Sequence, residues 1–60
     1  MDYKVIIVSE AFHDDAAREL QRKVKREILM GWKPLGGVSV SRSDSNHLTR
    51  IVLTQAMIKE

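Results

Sequence analysis

The sequence predicts a single α+β domain in the order strand, helix, strand, strand, with a three-stranded sheet carrying one helix on one face. Three observations carry that expectation. Residues 3–8, Tyr-Lys-Val-Ile-Ile-Val, are β-branched or aromatic apart from Lys4, a composition that suits extended chain. From about residue 14 to 30, Ala17, Leu20, Val24 and Ile28 recur at helical spacing and form one apolar stripe. Beyond Pro34, two alternating stretches at 35–42 and 47–58 flank Ser43-Asp44-Ser45-Asn46, whose side chains bond nearby backbone and favour a turn.

Each element has its own local reason. In the first strand Tyr3, Val5 and Ile7 share one face and Lys4, Ile6 and Val8 the other, so both faces are largely apolar. His13 and Asp14 suit the start of the helix, and Asp14-Asp15 set negative charge at the positive end of its dipole. Glu19, Lys23 and Glu27 stand four apart and can support one another. Gly31 is placed to end the helix and Pro34 prevents it from resuming. In the second strand Leu35, Gly37, Ser39 and Ser41 alternate with Gly36, Val38, Val40 and Arg42. In the third, Ile51, Leu53 and Met57 oppose Val52, Ala56 and Ile58. A hairpin makes strands two and three antiparallel, and the long third strand belongs in the middle.

Sixty residues make one domain, 1–60, whose core is small: a chain of this size buries only about 60% of its unfolded surface. The absence of cysteine excludes disulfides and thiolate metal sites. One helix covers one sheet face, and nothing else in the chain covers the second. A second copy supplying the missing cover is therefore expected, making the protein a homo-oligomer. The net charge of +2, ten Lys plus Arg against eight Asp plus Glu, comes without a run of five like charges. The longest apolar run is Val5–Val8, far short of the roughly 20 residues of a membrane span. The first residues lack signal-peptide features. The expected setting is the cytoplasm, with no membrane partner.

Taken together, the Tyr3-Lys4-Val5 strand, the Gly31-Trp32-Lys33-Pro34-Leu35-Gly36-Gly37-Val38-Ser39 stretch and the closing Gln55-Ala56-Met57 strand are similar to the small bacterial and phage family catalogued as domain of unknown function 1737. The Gly-Trp-x-Pro-Leu-Gly-Gly stretch is the specific part. The helix here is longer and more charged, and the hairpin more polar, than in a minimal member. The resemblance implies a small strand-helix-strand-strand fold that oligomerises, and it implies no catalytic activity.

Three groups of residues are candidates for binding. Trp32, Lys33, Gly36 and Gly37 could hold a phosphate on backbone N–H groups and stack a base. The alternative is structural: a helix cap, a fixed turn, and glycines that allow a bulge or close packing. Arg42, His47 and Arg50 flank the polar hairpin and could clamp an anion, or simply face water. Arg18, Arg22 and Arg26 form a basic stripe away from the apolar seam, readable as a solvated face or as an anion-binding edge. The two histidines lack metal-ligand spacing, no acid pair is poised in an apolar pocket, no serine lies in an elbow motif, and no cofactor is implied. These patterns lead to a non-enzymatic oligomer that binds or sequesters a small anionic, nucleotide-like ligand at a subunit interface. For a phage-type protein this could counter nucleotide-based host defence signalling. The alternatives are a protein-interaction module using the apolar sheet face or a strand edge, and a nucleic-acid binder using the arginine stripe.

Overall fold

The computed structural model describes residues 1–45 and 48–60. Strand β1 (Asp2–Glu10), helix α1 (His13–Leu29), strand β2 (Lys33–Ser45) and strand β3 (Leu48–Lys59) follow one another in the expected order. The sheet order is β1-β3-β2, with β3 antiparallel to both neighbours. Strands β1 and β2 run further than the sequence suggests, and β3 keeps its expected length one residue further along. Of the turn expected at Ser43–Asn46, Ser43 and Asp44 belong instead to the ladder, paired with Arg50 and Thr49. Thr49 Oγ1 donates to Asp44 Oδ1 at 2.8 Å, so that carboxylate serves the ladder instead of a local turn. Asn46 lies outside the described residues.

The core lies between α1 and one face of β1 and β3. Ile6, Val8, Ile51, Leu53 and Met57 meet Ala16 and Leu20, with Val24 and Trp32 packed at the margin. The helix seam differs from the apolar stripe read from the sequence: Ala17 is exposed, Ile28 is half exposed, and Ala16 is buried. At 100° per residue, Glu27 stands only about 20° from Ala16, whereas positions 17 and 28 stand about 100° and 120° away. The line facing the sheet is Ala16-Leu20-Glu27, with half-buried Lys23 and Val24 on either side. Glu27 is accommodated there because it pairs with Lys4 of β1. Glu19 pairs with Arg22, so the expected ladder through Lys23 is replaced by two other pairs.

The helix ends as the glycine suggests. Gly31 has φ +96°, its N–H donates to Ile28 O, and the Trp32 N–H donates to Glu27 O, both at 3.0 Å. This is a Schellman cap, which also swings Trp32 back onto the core. The other end departs from expectation. The N-cap is Phe12, not His13 or Asp14, and it offers no side-chain acceptor. Asp14 and Asp15 sit in the first turn, where they favour the dipole.

Phe12 is 70% exposed, so replacing it forfeits little packing. Phe12→Ser supplies the missing acceptor, and a good N-cap contributes about 1 kcal/mol. For a domain of this size that raises Tm by about 4 °C or more. An unchanged or lower Tm on thermal unfolding would show that Phe12 contributes more by packing than a cap can return.

Candidate functional site

The face of the sheet turned away from α1 is built in cross-strand rows. Register places Tyr3, Ile58 and Lys33 in one row; Val5, Ala56 and Leu35 in the next; then Ile7, Thr54 and Ser39; then Ser9, Val52 and Ser41; and last Arg50 and Ser43. Residues paired across antiparallel strands point to one side. The first three rows are mostly apolar and uncovered, with Tyr3 62%, Val5 46%, Ile7 61% and Leu35 48% exposed. The last rows set three serine hydroxyls and a guanidinium around Val52. Among the described strand residues this face bears no carboxylate: Asp2, Glu10 and Asp44 alternate to the helix side. Cations therefore mark both ends of the face, Lys33 at one and Arg50 at the other.

Arg50 is held in place. Its Nε donates to Ser9 Oγ and its Nη2 to Ser9 O, both at 2.8 Å, and Nη2 lies 3.8 Å from Glu10 Oε2. The guanidinium is thus laid across the end of β1 while its side chain stays 46% exposed.

The Gly36–Gly37 stretch resolves into structure. Between Leu35 and Ser39, β2 advances four residues while β3 advances two, so β2 carries two extra residues in a bulge. Gly36 has φ +74°, a region in which side-chain-bearing residues are strained. Close packing plays no part, since a Cβ at Gly36 or Gly37 meets nothing within 4 Å. The buried amide of Gln55 reaches into the bulge and donates to Leu35 O, Gly36 O and Ala56 O at 3.3, 3.2 and 2.9 Å. The bulge thus turns carbonyls toward Gln55, and its geometry gives no support to an anion cradle of N–H groups. Trp32 is likewise engaged as structure. Lys4 Nζ sits 4.2 Å from its ring centroid and Lys59 Nζ 5.9 Å, so cations already approach the ring.

The candidate binding residues fall into two groups at opposite ends of the sheet. Trp32, Lys33, Gly36 and Gly37 are near one end. Arg42 and Arg50 are near the other, about 27 Å away by the eight-residue span from Ile58 to Arg50 on β3. A single copy does not bring them together. Arg42 points to the helix side and lies 3.4 Å from Asp44. His47 lies outside the described residues. The basic stripe is exposed but largely paired: Arg18 lies 3.9 Å from Asp15, and Arg22 bonds Glu19. The Arg22 bond holds the Glu19 carboxyl below its ordinary pKa, and Glu19 in turn raises Arg22. A hollow of about 520 Å³ beside this stripe balances Glu10, Asp15 and Glu19 against Arg18, Arg22 and Lys25. That balance weakens the case for an anion-binding edge.

Because α1 covers β1 and β3, the helix side of β2 is left open. Leu20, Val24, Pro34, Val38 and Gln55 line a groove of about 230 Å³ there. Further along, Phe12, Val40, Arg42 and Ile51 line another of about 440 Å³. Among the described residues, no group of three or more His, Asp or Glu side chains converges as a metal site. No helix among the described residues is long and apolar enough to cross a membrane. Sequence reading missed Gln55 as a functional-looking residue, since one buried amide in a strand carries no signal until its partners are known.

No protein-family model, curated protein or solved structure matches the chain.

Gln55→Leu leaves the bulge carbonyls without their donor and should cost about 1–3 kcal/mol. Gly36→Val should cost roughly 1–2 kcal/mol through its backbone alone. Gly37→Ala, with open space around it, is expected to be nearly silent. Urea midpoints measure all three, and equal losses at both glycines would contradict the assignment of strain to Gly36.

Proposed function

We propose that this chain is a non-enzymatic, homo-oligomeric binding protein that holds a small anionic, nucleotide-like ligand at an interface between copies. The observation that carries the reading is the open sheet face: apolar in its first rows, lined with hydroxyls in its last, free of strand carboxylates, and bearing Lys33 and Arg50 at its ends. Apolar rows suit the stacking surface of a base or a second protein surface. Hydroxyls and a guanidinium suit phosphate oxygens, which Arg can bind two at a time. The candidate residues are too far apart to act within one chain, which supports a site completed by a second copy. Sequestration fits better than turnover, because no described side chain here is placed as a nucleophile and base pair.

A second reading has its own support. The apolar groove between α1 and β2, with the β2 edge beside it, suits a segment of another protein. The nucleic-acid alternative is weakened by the charge balance on the exposed helix face.

Melting curves separate the three. A ligand present at a hundred times its Kd adds about 2.7 kcal/mol. One compound from a panel of mono-, di- and cyclic nucleotides is therefore expected to raise Tm by about 11 °C or more, at about 4–8 °C per kcal/mol. No shift with any compound at millimolar concentration overturns the ligand. Affinity for oligonucleotides that grows with strand length and falls steeply with salt would instead favour nucleic acid.

A further inference from the structure

We infer that this chain pairs with a second copy edge to edge through β1, antiparallel about a two-fold axis perpendicular to the sheet at Ile7, with the two α1 helices side by side above the joint. This names the interface that the proposed function leaves open. It rests on the homo-oligomeric part of that reading and not on the ligand.

The two edges of the sheet differ. β2 carries three features that discourage a further strand: Pro34, the bulge between Leu35 and Ser39, and the charged Arg42 and Asp44. β1 has no proline, and its register with β3 runs unbroken from Asp2 to Glu10. Val5-Ile6-Ile7-Val8 fill its middle. Such an edge offers a straight row of unpaired N–H and C=O groups between β-branched side chains.

The charges on α1 identify the strand that fits. At 100° per residue, Asp15, Glu19, Arg22 and Arg26 fall within about 60° of arc. That arc overhangs β1. Lys23 and Arg26 line a hollow with Lys4 and Ile6, and Asp15, Glu19 and Arg22 line one with Glu10. Exposed Arg18 and half-buried Lys23 stand on either side of the arc, toward solvent and toward the sheet. Along the arc the order is acid, acid, base, base, which complements itself when reversed. A two-fold axis makes that reversal.

Strand and helix select the same register. A slip of one residue would put the helix side of one copy against the open side of the other, so β1 can shift only in steps that keep faces together. Centred on Ile7, Lys4 faces Glu10 of the second copy, Ile6 faces Val8, and Ile7 faces its own counterpart. Centred on Ile6, Asp2 would face Glu10, like charge against like. Centred on Val5 or Val8, Ile6 would face Lys4 or Glu10. Lys4 already bonds Glu27 and Glu10 lies 3.8 Å from Arg50, so the new pair joins two existing ones. Glu27 also fixes the helix level. From Lys4 to Ile7 the strand advances about 10 Å, or about seven helix residues. The axis therefore passes α1 near Leu20 and Gln21, so Glu19 faces Arg22 of the second copy and Asp15 faces Arg26. Each Arg22 already bonds Glu19 of its own helix, and at the axis the two pairs close a ring of four alternating charges.

The spacing agrees. The core places α1 over β1 and β3, about half a strand spacing from β1. Two helices so placed stand about 9–10 Å apart across the joint, close to the 8–10 Å at which helices pack.

Sedimentation velocity on the full chain tests the helix pairing. Wild type should dimerise at micromolar concentration. Glu19→Arg sets four arginines around the axis and Arg22→Glu four glutamates, so each should raise the dimer Kd at least ten-fold. An equimolar mixture of these two variants should associate to within about three-fold of wild type, because every acid then faces a base. A wild-type chain that stays monomeric at about 100 μM, or a mixture no tighter than its components, overturns the pairing. The strand register has a separate readout in a chain without native cysteine. Paired residues on antiparallel strands stand about 4.5–5.5 Å apart at Cα, within disulfide reach. Ile7→Cys should close a disulfide with its counterpart under mild oxidation, and Ser41→Cys on the β2 edge should not. Failure of Ile7→Cys to close, or equal closure by Ser41→Cys, overturns the β1 joint. A nucleotide that still raises Tm after either failure leaves the ligand reading standing and removes only this interface.

Discussion

One helix has to cover a three-stranded sheet, and most of the structure follows from that shortage. A helix of 17 residues is about 25 Å long and spans roughly two strands in width. It lies over β1 and β3, so the seven-residue apolar core forms there. The helix side of β2 and the whole opposite face stay open. The grooves beside Val38 and Val40 and the uncovered rows from Tyr3 to Leu35 have this one origin. With no cysteine, no disulfide supplements this small core.

The same shortage sorts the charges by the side of the sheet that they occupy. Lys4 is drawn in between Glu27 and Trp32, where its stem packs along the core margin and its ammonium meets both a carboxylate and a ring. Arg18 and Arg22 are matched by acids one turn earlier on the helix. Among the described strand residues the open face bears no acid, because strand alternation sends Asp2, Glu10 and Asp44 to the helix side. Arg50 nevertheless reaches Glu10 at 3.8 Å around the end of β1.

Much of the fold was legible in the residues. Element order, strand order and the central place of β3 follow from the β-branched stretches, the Gly31 stop and the hairpin. The left-handed helix stop is visible as Gly31, and its Schellman form is seen only in the Trp32 N–H bond to Glu27 O. Other features needed three dimensions. The ends of the seam differ at Ala17 and Ile28 because Glu27, read only as a partner of Lys23, takes a place near the core that its pairing with Lys4 explains. The expected turn lost Ser43 and Asp44 to the ladder, where Asp44 found Thr49. Both faces of β1 are apolar, so its pattern alone did not say which side α1 would cover. For the candidate site, the residue types were legible and their separation was not: that Gly36 and Arg50 lie at opposite ends depends on register.

The bulge at Gly36 carries one more consequence, for how the chain tolerates change in length. It adds two residues to β2, and two is the period of a strand. Ser39, Ser41 and Ser43 therefore stay on the open face with Leu35, as they would without the bulge. An insertion or deletion of one residue there would invert everything beyond it, turning the serines inward and Val38, Val40 and Arg42 outward. Loss or gain of a pair keeps the pattern. This segment of β2 can accordingly vary in length only in even steps, and an odd indel would exchange its two faces while leaving its composition almost untouched.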